Sequence, residues 1–260
     1  MNRKAVIEHI INWLKAYSER SKTNGFVIGI SGGIDSAVTS TLCALTGKKV
    51  IVLNMPIRQH KPELDRSTEH IEWLKKNFKN VESDVVELNN VFEAFEKTFP
   101  KTIQDFLTMA NTRSRMRMIT LYAFASHHTM LVAGTGNKVE DFGVGFYTKY
   151  GDGGVDISPI ADLMKSEVYA LAEELKIAES IRKAPPTDGL FADAGKTDEA
   201  QLGATYDDLE WAMNYIEKKD NAELSARQKE VMEIYLLRNR SNKHKMEPIP
   251  VCIIPVELKK

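Results

Sequence analysis

The sequence predicts an α/β fold in which a doubly wound parallel sheet is covered by helices on both faces. Short aliphatic runs alternate along the chain with longer segments whose apolar residues recur at helical spacing, as expected when helical crossovers join parallel strands. The aliphatic runs also lack the apolar–polar alternation of half-exposed strands, so both faces of the sheet should be buried. No linker, repeat or low-complexity segment divides the chain, and we therefore expect a single domain over residues 1–260.

The N-terminal half carries most of the predicted sheet. Val6, Ile10, Leu14 and Tyr17 lie at helical spacing and predict a helix at the N-terminus. Runs rich in valine, isoleucine and leucine predict strands at 25–30, 49–54, 84–88 and 130–133. Helices are expected between these strands at about 37–45, 62–78, 91–99 and 102–128.

The C-terminal half is predicted to be mostly helix and loop. Residues 143–156 are dense in glycine, which predicts neither a helix nor an uninterrupted strand. We expect a helix over 158–175, a polar loop over 184–196, two helices at about 206–218 and 225–240, and a polar loop at 241–245 before an extended tail.

The first strand runs directly into a turn with paired glycines, Gly29-Ile-Ser-Gly-Gly-Ile-Asp-Ser36, which opens the next helix. The first N–H groups of a helix have no intrahelical partner and lie at the positive end of its dipole, so this turn favours an anion such as phosphate. Asp35 would repel a bare phosphate, but its carboxylate suits a divalent cation between protein and phosphate. The turn therefore indicates a phosphate site that uses Mg²⁺.

Two common nucleotide-binding loops do not fit this turn. Asp35 stands where a Walker A loop has its lysine, and Ser31 and Ile34 occupy glycine positions of the dinucleotide fingerprint. The run Ser-Gly-Gly-x-Asp-Ser instead resembles the motif of the ATP pyrophosphatase superfamily. That resemblance implies a Rossmann-like sheet of the adenine nucleotide alpha-hydrolase type, and cleavage of ATP between its α and β phosphates.

The composition of the chain argues against several classes of binding partner and site. The net charge of −1 gives no basic excess for a nucleic-acid partner. Cys43 and Cys252 indicate neither a disulfide framework nor a cysteine-rich metal site. No signal peptide or membrane-spanning run is recognisable, so we expect a cytoplasmic protein without a membrane partner.

A second strand-to-glycine turn, Gly134-Thr-Gly-Asn-Lys-Val-Glu140, follows the predicted fourth strand. If the first and fourth strands are neighbours, both turns face one crevice at the carboxyl edge of the sheet, where Asp35 and Glu140 would share a magnesium ion. Thr135 follows the strand directly and suits a nucleotide contact, although an ordinary turn threonine explains it equally well. Lys149 and Lys165 are candidate phosphate ligands.

Three arginines, Arg113, Arg115 and Arg117, alternate on the long predicted helix, so they do not share one face. Two interpretations are open: the arginines form a solvated basic stripe, or one of them enters a pocket and binds phosphate or carboxylate. The local sequence does not choose among the three.

Taken together, the motifs resemble the NAD synthetase family. Besides the opening turn, they comprise Asn111-x-x-x-Arg115-x-Arg117-Met118, the second glycine turn, Phe146-Tyr-Thr-Lys-Tyr-Gly-Asp-Gly-Gly154-x-Asp156, Pro186-Thr187 and His244-Lys245. The resemblance implies that ATP adenylates the nicotinate carboxylate of deamido-NAD with release of pyrophosphate. Ammonia then displaces AMP to give NAD.

The resemblance also implies roles for particular residues. Asp35 and Glu140 would hold Mg²⁺ and, with Lys165, form the catalytic group. Contacts to ATP are implied for Gly29, Ile30, Ser31, Gly32, Gly33, Ile34, Asp35, Ser36, Thr135, Lys165 and Thr187. Contacts to deamido-NAD are implied for Arg115, Lys149, Asp156, His244 and Lys245. A homodimer with the deamido-NAD site at the subunit interface is also implied.

The sequence departs from the family pattern in two respects. The sequence shows no amidohydrolase (glutaminase) domain with a catalytic cysteine, so free ammonia is the implied nitrogen source. Met246 stands where many relatives have arginine.

Two other functions are possible for these motifs. One alternative is an ATP pyrophosphatase that amidates or thiolates another acceptor, such as a purine nucleotide or a tRNA base. The other is a non-catalytic adenine-nucleotide-binding protein.

Overall fold

A parallel four-stranded sheet in the order β3-β2-β1-β4 forms the centre of the fold. The computed structural model describes residues 1–187, 197–219 and 223–259. The strands are β1 Gly25–Gly29, β2 Lys49–Asn54, β3 Val81–Val85 and β4 Leu131–Val132. The chain winds outward from β1 to β3 and then returns to place β4 on the other side of β1, so the doubly wound α/β prediction is confirmed.

Helices account for most of the remaining described chain. They are α1 Arg3–Arg20, α2 Ile34–Leu45, α3 Lys61–Asn77, α4 Asn89–Thr98, α5 Phe106–His128, α6 Lys165–Glu174, α7 Glu179–Arg182, α8 Asp198–Leu202, α9 Tyr206–Glu217 and α10 Ala226–Met246. Short 3-10 turns occur at Lys101–Ile103 and Val256–Lys259, and a π-helix spans Val139–Val144. None of the helices in these ranges is long and apolar enough to cross a membrane.

Both faces of β1, β2 and β4 are buried, whereas β3 at the edge of the sheet is mostly exposed after Val81, so the expectation of burial on both faces is wrong for this strand. Successive strand residues point to opposite sides, so each face packs with a different set of helices. Phe26 and Ile28 pack with residues of α1, α2, α3 and α6 on one face. Val27 and Leu53 pack with residues of α4 and α5 on the other face. A third cluster joins α9 and α10 to the π-helix, which brings the C-terminal helices against the second glycine turn.

The structure corrects several predicted boundaries in the first part of the chain. β3 occupies 81–85 instead of 84–88, because Val81 pairs with Val50 and Val85 with Asn54 in the parallel ladder to β2. The long helix begins at Phe106 and not near 102, since the Asp105 side chain accepts a hydrogen bond from Thr108 N and caps it.

Boundaries in the C-terminal half also differ. The helix predicted over 158–175 begins at Lys165, the π-helix extends into the glycine-dense segment, and α7 and α8 were not predicted. The loop predicted over 184–196 is described only as far as Thr187.

The predicted loop at 241–245 is the largest error, since α10 continues through Met246. Asn239, Asn242 and Lys245 donate hydrogen bonds to the carbonyls of Gly143, Val144 and Gly145. These contacts hold the last turns of α10 against the end of the π-helix. Local sequence gave no sign of them, because the partners lie about a hundred residues apart.

His70 supplies a pH-dependent part of the stability. Its Nε2 lies 3.0 Å from the Ser40 hydroxyl oxygen. Burial lowers the pKa of His70 from 6.5 to about 4, although a hydrogen bond to the Ala37 backbone opposes this shift. The unfolded chain therefore binds a proton at higher pH than the folded one, and stability from the neutral ring is lost as pH falls from 6.5 towards 4.

We expect this group to lower the free energy of unfolding by on the order of 3 kcal/mol across that interval. Urea denaturation at several pH values should show a shallower acid-side decline for His70→Gln than for the unchanged protein. His9→Gln, at an exposed position, is the control and should leave the decline unchanged. Equal slopes for the unchanged protein and His70→Gln would contradict this explanation.

Candidate active site

A cleft of about 250 Å³ opens where β1 and β4 end. Both glycine turns contribute to its wall, as expected for neighbouring strands. Every residue predicted to contact ATP lines it: Gly29, Ile30, Ser31, Gly32, Gly33, Ile34, Asp35, Ser36, Thr135, Lys165 and Thr187. Glu140 lies in the same wall, whereas the residues predicted for deamido-NAD are outside it.

The first glycine turn is held by serine hydroxyls. Ser36 Oγ lies 3.1 Å from Ser31 Oγ and donates to the Gly33 carbonyl at 2.9 Å. Gly33 caps α2 in an extended conformation without a side-chain hydrogen bond. The positive end of α2 is therefore open towards the cleft, which is the geometry of an anion site.

Gly32 allows α3 to pack directly on this turn. Its φ of +85° lies in the left-handed region, and a Cβ there would come within 2.5 Å of the Glu63 carbonyl oxygen and 3.1 Å of Ser67 N. A larger residue would thus separate α3 from the phosphate-binding turn.

Lys165 connects the two acids of the cleft. Its Nζ lies 2.6 Å from Asp35 Oδ2 and 3.1 Å from Glu140 Oε1, and the residue is only 3 % exposed. Burial opposes the charged ammonium, but the two carboxylates outweigh burial and raise the pKa of Lys165 above its ordinary value. The lysine therefore remains protonated, and both acids point at one cationic position.

Asn137 and Tyr206 fix the orientation of these acids. Asn137 Nδ2 donates to Asp35 at 3.2 Å, while its Oδ1 accepts from the backbone N–H groups of Val139 and Glu140. The Tyr206 hydroxyl donates to Glu140 Oε1 at 2.6 Å. Burial and the Glu140 charge raise the pKa of Tyr206, so the phenol stays protonated as a donor.

Four of the residues predicted for deamido-NAD form a second group, the basic cluster of Arg115, Lys149, His244 and Lys245. Arg115 donates to the Lys149 carbonyl at 3.3 Å, and Lys149 Nζ donates to the His244 carbonyl at 2.5 Å. Lys245 Nζ donates to the carbonyls of Gly145 and Tyr147. Burial lowers the pKa of Lys245.

Asp156 lies apart from the basic cluster. Its carboxylate accepts hydrogen bonds from the Tyr122 hydroxyl at 3.0 Å and from the backbone N–H of Val132 at 2.8 Å. It thus links the glycine-dense segment to β4 and α5.

The three alternating arginines of α5 have three different surroundings. Arg113 is buried over the Phe92 ring, Arg115 belongs to the basic cluster, and Arg117 lines the cleft. Arg117 Nε also donates to the Met55 carbonyl at 3.1 Å. The tertiary structure thus separates residues that the local sequence could not distinguish.

Comparison with known proteins identifies the family. A model of the NAD synthase family matches residues 6–248. The chain belongs to this family.

Its relatives match along most or all of their length. The NH(3)-dependent NAD(+) synthetase of Mycoplasma genitalium is 40% identical, over 78% of this chain and 80% of that protein. The enzyme of that name from Syntrophomonas wolfei is 33% identical over 100% of both chains. The structure of NMN synthetase from Francisella tularensis superposes with a TM-score of 0.84 at 30% identity, covering 98% of this chain and 99% of that one.

Three residues that hydrogen-bond to cleft residues of this NAD synthase family member were given no role from the sequence: Asn137, Tyr206 and Glu63. Asn137 stands three positions before Glu140 in the second glycine turn, a spacing typical of a capping side chain that could have revealed it. Tyr206 and Glu63 gave no such signal, because each is far in sequence from its partner. Glu63 Oε1 accepts a hydrogen bond from the Thr187 hydroxyl at 3.0 Å.

Removing the charge of Lys165 should destabilise the fold, because Asp35 and Glu140 would then face each other in a buried site. We expect Lys165→Met to lower the free energy of unfolding by about 3–5 kcal/mol in denaturant titrations at neutral pH. The additional change Glu140→Gln should restore part of that loss by removing one of the opposed charges.

Lys183→Met is the matched control, since Lys183 pairs with Glu179 on the surface with both side chains exposed. Its effect should stay within about 0.5 kcal/mol. A Lys165→Met protein as stable as the unchanged one would show that the buried charges are not balanced by this lysine.

Proposed function

We propose that this protein is an ammonia-dependent NAD synthetase, which converts deamido-NAD, ATP and ammonia into NAD, AMP and pyrophosphate through an NAD-adenylate. The observation that carries the proposal is the single cleft that combines the phosphate-binding turn with the Asp35–Lys165–Glu140 group. Relatives named NH(3)-dependent NAD(+) synthetase, matched over nearly their whole length, support it.

The cleft suits adenylation of a carboxylate. A carboxylate oxygen of the acceptor forms a bond to the α phosphorus of ATP, and the bond from that phosphorus to the bridging oxygen breaks. The electron pair leaves with pyrophosphate. N–H groups at the start of α2 would stabilise this charge without reorganising, since they are already positioned. Ammonia then attacks the activated carbonyl carbon, the bond from that carbon to the AMP oxygen breaks with its electron pair leaving on AMP, and the nitrogen loses one proton to give the amide.

The donor set fits a magnesium ion that ATP brings with it. Among the described residues, no group of three or more His, Cys, Asp and Glu side chains surrounds one metal position. Asp35 and Glu140 lie close together, since both accept hydrogen bonds from Lys165 Nζ, and Mg²⁺ is commonly held by one or two carboxylates together with substrate phosphates. These two residues would hold the ion, which would neutralise phosphate charge.

The basic cluster would bind deamido-NAD, whose diphosphate and carboxylate are anionic. Arg115, Lys149 and Lys245 lie near one another beside the glycine-dense segment. Asp156 would act indirectly, because β4 and Tyr122 already occupy its carboxylate oxygens.

A mononucleotide is the second candidate for the acceptor, because the structural relative from Francisella tularensis is an NMN synthetase. The same chemistry on nicotinic acid mononucleotide would produce NMN. The names of the sequence relatives favour the dinucleotide.

Purified protein given ATP, Mg²⁺, ammonium and deamido-NAD should form NAD, AMP and pyrophosphate in equal amounts, as measured by chromatography. With both acceptors present, kcat/KM should be higher for deamido-NAD. Release of ADP and phosphate would refute the adenylation step, and preference for the mononucleotide would favour the second candidate.

Chelation of Mg²⁺ should abolish turnover. Glu140→Gln should reduce turnover at least about tenfold, since it removes a charged ligand.

We also propose that two copies of the chain associate through the α4–α5 face, defined by Phe95, Phe99, Ile103, Phe106 and Leu107. These apolar side chains are 37–64% exposed, and the rings of Phe95 and Phe99 are 4.5 Å apart. A contiguous exposed apolar surface of this kind is typical of an interface. Arg115 of the basic cluster lies further along α5, so a partner covering this helix would lie near the deamido-NAD site.

Light scattering after size-exclusion chromatography should give the mass of a dimer for the unchanged protein. Leu107→Asp should shift the mass to that of a monomer, because it places a charge on the apolar face. Val251→Asp, on the exposed C-terminal tail, is the control and should remain dimeric. A monomer before any substitution would refute the assembly.

A further inference from the structure

Arg66 is a cation of the cleft that the motifs of the sequence did not single out. It lies on α3, close to the phosphate-binding turn. We propose that Arg66 binds the terminal phosphates of ATP and stabilises pyrophosphate as it leaves. This inference rests on the proposed function for the presence of ATP in the cleft.

The position of Arg66 is fixed by two contacts between α3 and the turn. The backbone of α3 packs on Gly32 so closely that a Cβ there would lie 2.5 Å from the Glu63 carbonyl oxygen. Arg66 Nε donates a hydrogen bond to the Gly32 carbonyl at 3.1 Å. The guanidinium is therefore tied to the same turn whose N–H groups would receive the phosphates.

The outer edge of the guanidinium is available to a ligand. Within the described ranges, Nη1 and Nη2 of Arg66 donate no hydrogen bond to protein, and Arg66 forms no ion pair. Glu63 lies one turn earlier on α3 and lines the same cleft, but it forms no ion pair with Arg66, and one of its oxygens accepts a hydrogen bond from Thr187. Arg66 is only partly exposed, and among the described residues no carboxylate forms an ion pair with it.

The pairing of Lys165 leaves Arg66 as a cation for phosphate. Lys165 already contacts two carboxylates, Asp35 and Glu140, so its single positive charge is more than offset there. The triphosphate of ATP needs further cations, and the planar fork of a guanidinium matches two phosphate oxygens at once. When the bond between the α phosphorus and the bridging oxygen breaks, that oxygen departs on pyrophosphate with the electron pair. Arg66 would stabilise the negative charge there.

Calorimetric titration of the full-length protein with three ligands tests the inference: MgATP, inorganic pyrophosphate with Mg²⁺, and AMP. Arg66→Gln should weaken ATP and pyrophosphate binding about 10- to 100-fold. It should leave AMP affinity unchanged, because AMP lacks the terminal phosphates. Arg66→Lys should give an intermediate loss, since it keeps the charge but not the fork.

Lys76→Gln is the matched control, because it removes one positive charge from an exposed position on the same helix. It should bind all three ligands like the unchanged protein. Thermal denaturation of each variant establishes that it is folded.

The outcomes separate this inference from the proposed function. Unchanged pyrophosphate affinity in Arg66→Gln, or an equal loss of AMP affinity, would overturn the role of Arg66 even if the protein makes NAD. If the unchanged protein makes no NAD but Arg66→Gln selectively loses ATP and pyrophosphate binding, the role of Arg66 in phosphate binding is upheld and the proposed reaction is refuted. Failure of the unchanged protein to bind pyrophosphate would also overturn the inference.

Discussion

The burial of Lys165 between Asp35 and Glu140 is the interaction on which the cleft depends. It joins the start of α2, the π-helix and the start of α6, three elements that are distant in the chain. Two carboxylates and one ammonium are costly to bury, and removal of Lys165 would leave both carboxylates without an oppositely charged partner. Asn137 and Tyr206 reduce that cost by donating hydrogen bonds to the carboxylates. The charge group therefore determines how the two glycine turns face each other.

The rest of the site is arranged around this group by packing. α3 approaches the phosphate-binding turn because Gly32 has no side chain, and this approach brings Arg66 and Glu63 to the rim of the cleft. α10 packs against the end of the π-helix through Asn239, Asn242 and Lys245, which brings the basic cluster together. Met246 takes part in this packing, since a Cβ on Gly145 would lie 2.9 Å from its methyl carbon. Met246 thus fits the contact that it makes here.

Much of the fold could be predicted from the sequence, whereas boundaries set by long-range contacts could not. The strands β1 and β2 and the helices that follow them have strong local signals, because aliphatic runs and helical periodicity each reflect burial on a known face. β3 was misplaced because its register depends on β2, and the end of α10 was misplaced because carbonyls of the π-helix hold it. Each error lies where a distant partner outweighs local preference.

The sequence by itself determined the chemistry of the cleft: a glycine turn with an acid at a helix start, a second turn with another acid, and the family to which these motifs belong. Only the tertiary structure decided which side chains meet. It separated Arg113, Arg115 and Arg117, connected Asp156 to β4, and brought Tyr206 and Arg66 to the cleft. The physical reason is that a motif specifies residue types over a few positions. The neighbours of a side chain depend on how helices pack on the sheet, and a local sequence pattern does not specify this packing.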